Sequence, residues 1–240
     1  RTRLRYSWYD RTSYMKGLKA LYETVADRLS VGLRVLTAVN LERSALVAQC
    51  SAIVVMESSG LNQTAVQELR GYAQGGGTLI VTGDGLLYDT AGLRLSNFAL
   101  AADLGIDFAE TRCFAEPTQW RISEAGRRRS AFSSPACLNI VHNSSASAVL
   151  KRVTVESPEG QVAVTAPLVT RHSVGDRGGA LIYLAAKQDN AVGSDSNLTL
   201  ALVAEQLLDH VRLPYRVHGP RQMKTEVVVT EQKAHSRWVV

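Results

Sequence analysis

Cysteine is scarce in this sequence: Cys50, Cys113 and Cys137 are the only three in 240 residues, and no two stand in a CxxC spacing. A zinc ribbon and a dense disulfide framework are thereby excluded. Cys113 and Cys137 flank an arginine-rich segment; they allow a bridge across it in an oxidising compartment, but two free thiols are the plainer expectation. No apolar run approaches the length of a membrane helix, and Arg1 is followed by no charged-then-apolar signal pattern. Histidine supplies no metal motif, because His142, His172, His210, His218 and His235 fall in neither HxH nor HExxH spacing. Neither a metal nor a cofactor is expected, nor is a membrane partner. Charge of one sign is thin as well, with a net charge of +5. Its one dense cluster is Arg127-Arg128-Arg129, near Trp120 and Arg121. Such runs are most often solvated loop. The functional alternative is an interface or a patch for carbohydrate or an anionic polymer. Nucleic acid is not expected, since the excess is mild.

The remainder is an ordinary globular composition, 45% hydrophobic and 20% charged, long enough for one large domain with an appendage. Arg237-Trp238-Val239-Val240 ends within a strand-like stretch, so a segment of a longer protein is expected. Leu4–Trp8 reads as a weak strand. From Ser13 a helical face follows through Tyr14, Leu18, Leu21, Tyr22, Val25 and Leu29. Leu33–Leu36 and Ala52–Met56 read as strands, the second as an unbroken apolar run of the kind buried in parallel sheets. Asn62 should cap a helix through Val66, Leu69 and Tyr72, with a strand at Thr78–Val81 and a short helix within Phe98–Leu104. Phe108–Ser147 is polar and is expected to be an insertion with little regular structure. Val162–Arg171 and Ala180–Leu184 predict a strand pair around a turn at Val174–Gly179. Leu198–Val211 predicts an amphipathic helix. Pro214 and Pro220 mark a linker, and Thr225–Thr230 the start of a β unit. Strand and helix alternating in this way predict an α/β, flavodoxin-like doubly wound fold with a mainly parallel sheet. The expected domains are residues 1–213, with the insertion at about 108–147, and residues 214–240 as linker and truncated β domain.

Six glycines crowd Gly71–Gly85. A dinucleotide fingerprint needs its glycines after a strand and before a helix, whereas Gly75-Gly76-Gly77 follows a helix and enters a strand. It reads as a helix stop. Gly83-Asp84-Gly85 instead lies at the carboxyl end of a strand, where open α/β sheets place ligands. The turn Thr82-Gly83-Asp84-Gly85 has the position of a nucleophile elbow without Ser or Cys at its tip. Glu57 and Ser58 stand at the end of the neighbouring strand. Glu57 and Asp84, with His172, form the candidate crevice of a hydrolase, since two close carboxylates can share a proton. The competing role is turn or helix capping. Asn62-Gln63-Thr64, Asn143-Ser144-Ser145 and Asn197-Leu198-Thr199 fit the N-glycosylation pattern.

Leu46–Met56, Leu61–Tyr72 and Gly75–Gly83, continuing through Leu86–Asp89 and Asn97–Ile106, resemble the glutamine-amidotransferase-like domain of multidomain glycosidases. This is the trimerisation-type domain of A4-type β-galactosidases, and Glu226–Val240 resembles the opening of the β domain that follows it. The resemblance implies a noncatalytic domain serving interdomain or intersubunit packing. Its partners would be neighbouring domains of a longer chain and sister subunits of a homo-oligomer. True amidotransferases carry a nucleophilic cysteine at the elbow; here that position falls at Gly83 or its neighbour, so no covalent attack on glutamine is available. The catalytic carboxylates of the resembled glycosidases sit on a barrel that this sequence does not contain.

Overall fold

The computed structural model describes residues 36, 41–42, 47–56, 60–114, 118–124, 127–133, 136–157, 159–187, 198–210, 230–232 and 237–239. The elements expected at Leu4–Trp8, at Ser13–Leu29 and at Leu33–Leu36, apart from Leu36, lie outside the described residues.

The described chain begins with a β-α-β unit: β1 (Ala52–Met56), α1 (Gln63–Gln74) and β2 (Thr78–Thr82). The two strands pair in parallel from Ala52 opposite Thr78 to Met56 opposite Thr82, so a crossover between them is obligatory. α1 provides it. Asn62 starts the helix as expected, its Oδ1 accepting the Ala65 amide at 2.8 Å. The triple glycine ends it. The Gly76 amide donates to the Ala73 carbonyl and the Gly77 amide to the Tyr72 carbonyl, both at 3.0 Å. Gly76 takes a left-handed φ of 105°. These paired bonds satisfy carbonyls that the last turn would otherwise orphan. Gly77 has a second reason to lack a side chain: a Cβ there would fall 2.3 Å from Tyr72 Cζ. The Tyr72 hydroxyl donates to the Cys50 carbonyl at 3.0 Å. Burial, aided by the negative charge of a Cys50 thiolate, pushes its pKa up to about 12.

β9 (Gly179–Leu184) pairs in parallel with β2 on its other side. Every residue of β2 and β9 is buried, as befits strands covered on both faces. Beyond β9 the pairing is antiparallel through β8 (Val162–Val174), β7 (Ala148–Glu156), β4 (Thr118–Glu124) and β5 (Arg127–Ser133). The seven-stranded order is β1-β2-β9-β8-β7-β4-β5. Among the described strands the sheet is therefore mixed: parallel over β1, β2 and β9 and antiparallel elsewhere, not parallel through most of its width. The cause is local. β8 and β9 meet through the tight turn at Gly175–Gly178, which includes left-handed glycines, and a hairpin can join only antiparallel strands.

The expectation of an irregular insertion at Phe108–Ser147 is corrected. The segment holds most of β3 (Ile106–Phe114), all of β4 and β5, and β6 (Ala136–Asn143). β4 shows why: Thr118, Trp120 and Ile122 are buried while Arg121 and Ser123 face solvent. That is the two-residue period of a strand covered on one face. β3 and β6 form an antiparallel ribbon beside the main sheet, and Leu138 of β6 bridges to Ala186 just after β9. Their register sets Cys113 directly opposite Cys137 with the Cα atoms 4.1 Å apart, and the two are joined in a disulfide. The plainer expectation of two free thiols is thus overturned; only Cys50 keeps its thiol.

The remaining elements are α2 (Ala101–Leu104), α3 (Leu198–His210) and an antiparallel pair of short strands, β10 (Thr230–Gln232) and β11 (Arg237–Val239). Arg70 of α1 pairs with Asp103 of α2 at 2.8 Å. The core is centred on the parallel strands, where Leu79, Ile80, Val81, Leu181, Ile182 and Leu184 are sealed from solvent together with Leu69 of α1. Each such side chain contributes about 2 kcal/mol by leaving water.

Candidate functional site

Gly83 opens the turn after β2 with a left-handed φ of 49°, and its amide donates to the Leu184 carbonyl at 2.9 Å. The sharp reversal expected of an elbow is present, but its tip carries no side chain. A Cβ on Gly85 would lie 2.9 Å from the Val55 carbonyl oxygen, so the turn packs its backbone against the end of β1. Asp84 projects between these glycines. Lys187, just after β9, donates from Nζ to Asp84 Oδ2 at 2.6 Å. Asn139 of β6 donates from Nδ2 to Asp84 Oδ1 at 3.0 Å. The Tyr88 hydroxyl reaches Oδ2 at 3.4 Å.

The network continues outward. Asn139 Nδ2 also donates to the Tyr183 hydroxyl at 3.1 Å, and that hydroxyl donates to the Gly83 carbonyl at 3.0 Å. Thr111 of β3 donates to Asn139 Oδ1 at 2.8 Å and accepts from Arg94 at 2.9 Å. Arg94 lies over the Phe108 ring, 4.5 Å from its centroid. Asn139 is wholly buried, while the side chains of Asp84 and Lys187 keep 12% and 23% of their exposure. A carboxylate whose two oxygens accept from an ammonium, an amide and a phenol is a structural anchor. Three of its roughly four acceptor sites are taken by protein donors, and the Lys187 ammonium beside it favours the charged, ion-paired form over a proton-accepting role.

Among the described residues, the other sequence-predicted ones, His172 and Trp120, do not join it. Glu57 and Ser58 lie outside the described residues. His172 sits on β8 opposite Leu181, three residues short of the Leu184 position where the elbow begins. That is about 10 Å back along the strand. Its Nδ1 lies 2.8 Å from the point a Gly105 Cβ would occupy and has no hydrogen-bond partner. The Trp120 patch is also corrected: the indole is 1% exposed. Its Nε1 donates to Thr118 Oγ1 at 2.8 Å, and its ring stands edge-on to Phe114 with centroids 6.3 Å apart. Trp120 is core, because strand alternation turns it inward while Arg121 turns out. Arg127 and Arg128 are exposed on β5, and the Arg129 side chain lies outside the described residues. Among the described residues no three His, Cys, Asp or Glu side chains converge as a metal site requires.

Sequence reasoning missed Lys187, Asn139 and Tyr183. The signal for Tyr183 was its place beside Leu184 at the end of a predicted strand. Lys187 and Asn139 had none, since they reach Asp84 across 103 and 55 residues of sequence. A second buried charge was missed in the same way. Lys151 of β7, 1% exposed, pairs with Glu124 of β4 and with Glu205 of α3 at 2.7 Å.

No protein-family description and no curated protein matches the sequence. The fold does match solved structures. The β-galactosidase from Bacillus circulans sp. alkalophilus aligns with a TM-score of 0.59 at 16% identity over 83% of this chain and 28% of its own. A polyextremophilic β-galactosidase from the Antarctic haloarchaeon Halorubrum lacusprofundi aligns with a TM-score of 0.55 at 17% identity, over 82% and 26%. A cytoplasmic protein from Salmonella typhimurium LT2 aligns with a TM-score of 0.57 at 15% identity, over 81% and 87%. The chain thus shares its fold with a part of these β-galactosidases, about a quarter of their length, and with nearly the whole of a much shorter protein. At such identities the likeness is one of fold.

Proposed function

We propose that this chain is a noncatalytic, amidotransferase-like domain of a longer glycoside hydrolase, serving interdomain or intersubunit packing. In this reading residues 1–213 form a flavodoxin-like, doubly wound domain built around the parallel β1-β2-β9 unit, and residues 214–240 lead into a β domain. One observation carries it: the elbow after β2 has a glycine at its tip, and its only acid, Asp84, is spent on Lys187, Asn139 and Tyr88. An elbow with neither nucleophile nor free base cannot run acyl transfer. The partial alignment with β-galactosidases supports the glycosidase link, and the reading assigns hydrolysis to other parts of the longer chain. The test is to delete residues 1–213 in frame from the longer protein. Light scattering should show a smaller assembly or separated domains, while the remainder keeps its hydrolytic chemistry. Galactoside hydrolysis by this chain alone would refute the reading.

A second reading, an anionic-polymer binding module, rests on a specific row of side chains. Arg128, Ser123 and Arg152 are register partners across β5, β4 and β7, and all three are exposed. Guanidinium groups so spaced suit carboxylate or sulfate groups. Retention on a sulfated polysaccharide that falls in Arg128→Ser/Arg152→Ser would favour it.

A further inference from the structure

We propose that the Cys113–Cys137 disulfide is a redox latch: it holds the β3–β6 ribbon across the carboxyl end of the parallel strands, and reduction opens the crevice around Asp84 and Lys187. The ribbon stands where open α/β sheets leave a cleft. Its backbone hydrogen bonds to the sheet end are few and sit beside the disulfide. The Lys187 amide donates to the carbonyl of Cys137 itself at 3.0 Å, and the Asn139 amide donates to the Ala185 carbonyl at 3.0 Å. Leu138 and Ala186 form the isolated bridge between these bonds. From the same three residues of β6 comes the Asn139 amide on Asp84. A two-stranded ribbon is marginal by itself, so what fixes its strands at this end fixes the closure.

The disulfide is placed to do that. Cys113 is the last residue but one of β3 and Cys137 the second of β6. Between them the chain leaves the ribbon, runs through β4 and β5 in the main sheet and returns, a separation of 24 residues. The bond staples the exit to the re-entry. Cys113 is exposed and Cys137 half-buried, so an external dithiol attacks Sγ of Cys113. Cys137 leaves as a thiolate and takes a proton; the reagent's second thiol then displaces Cys113. The pair gains two electrons and two protons, and the dithiol becomes a cyclic disulfide.

The experiment is amide hydrogen exchange on the full chain, unreduced and after treatment with a dithiol, with acylation of the Lys187 amine read by mass spectrometry. Reduction should speed exchange at Asn139 and Lys187 at least tenfold more than at the core amides of Ile80 and Val81, which follow global stability, and should raise Lys187 acylation. Cys113→Ser/Cys137→Ser should match the reduced chain without reagent and not respond to the dithiol. Equal exchange in both redox states overturns the latch. So does equal acceleration at Ile80, which would make the bond a general staple. Three titratable thiols in the unreduced chain overturn it at once.

Discussion

Lys187 and Asp84 are 103 residues apart in sequence and 2.6 Å apart in the fold, and their pairing fastens the turn after β2 to the chain leaving β9. Asp84→Ala leaves both the Lys187 ammonium and the Asn139 amide without their acceptor, so it should cost about 2–3 kcal/mol. Lys187→Met leaves Asp84 its bonds from Asn139 and Tyr88 and should cost less. Urea unfolding of the two variants and their double gives the order. A double variant as costly as the sum of the singles would show that the pair is not coupled.

Gly71 and Gly179 should respond to alanine with opposite signs. Nothing lies within 4 Å of a Cβ on Gly71, inside α1, so Gly71→Ala should gain about 0.5–1 kcal/mol by restricting the unfolded chain and favouring helix. A Cβ on Gly179 would fall 1.7 Å from the Ala73 carbonyl oxygen, and backbone cannot swing aside as a side chain can. Gly179→Ala should cost about 2 kcal/mol. Thermal melts should move upward for the first and downward for the second.

Tyr72 gives the chain a particular weakness to alkali. Its proton is held to about 12 in the fold, against about 10 in an unfolded chain. A folded pKa above the unfolded one makes a contribution that is whole below about pH 10 and is lost as the pH rises through about 12. The stability of the parent should therefore fall more steeply across that window than that of Tyr72→Phe, as read by urea midpoints. Parallel curves would mean that the phenol is as well solvated as in the unfolded chain.

Replacing both bridged cysteines by serine should lower stability by roughly 3 kcal/mol, the loop-closure entropy of a loop of this length. Calorimetry with and without reductant checks it. The serine variant should melt at one temperature in both buffers, whereas the parent should melt lower when reduced.

The β-α-β unit was legible because each of its signals is local. Asn62 caps, Val66 and Leu69 mark a face, three glycines stop the helix, and Ala52–Met56 and Thr78–Val81 are unbroken apolar runs. The turn between β8 and β9 was legible for the same reason. The strands at Phe108–Ser147 were not read, because the arginines on their solvent faces hid the alternation that Thr118, Trp120 and Ile122 carry. The disulfide follows from register rather than from spacing, and register became available only with those strands. At the candidate site Asp84 stands just past the end of β2, where the sequence pattern put a strand-end acid. Its partners Lys187 and Asn139 are products of topology, and they turned a candidate base into an anchor. Trp120 shows the reverse case: a residue type enriched at interfaces, turned inward by the parity of its strand.

The central claim, an elbow emptied of chemistry, is tested most directly by assaying the purified chain for ammonia release from glutamine and phenol release from an aryl galactoside, with Asp84→Asn alongside. The account predicts the buffer rate for both substrates, in parent and variant alike. Release above that rate, abolished by Asp84→Asn, would contradict it.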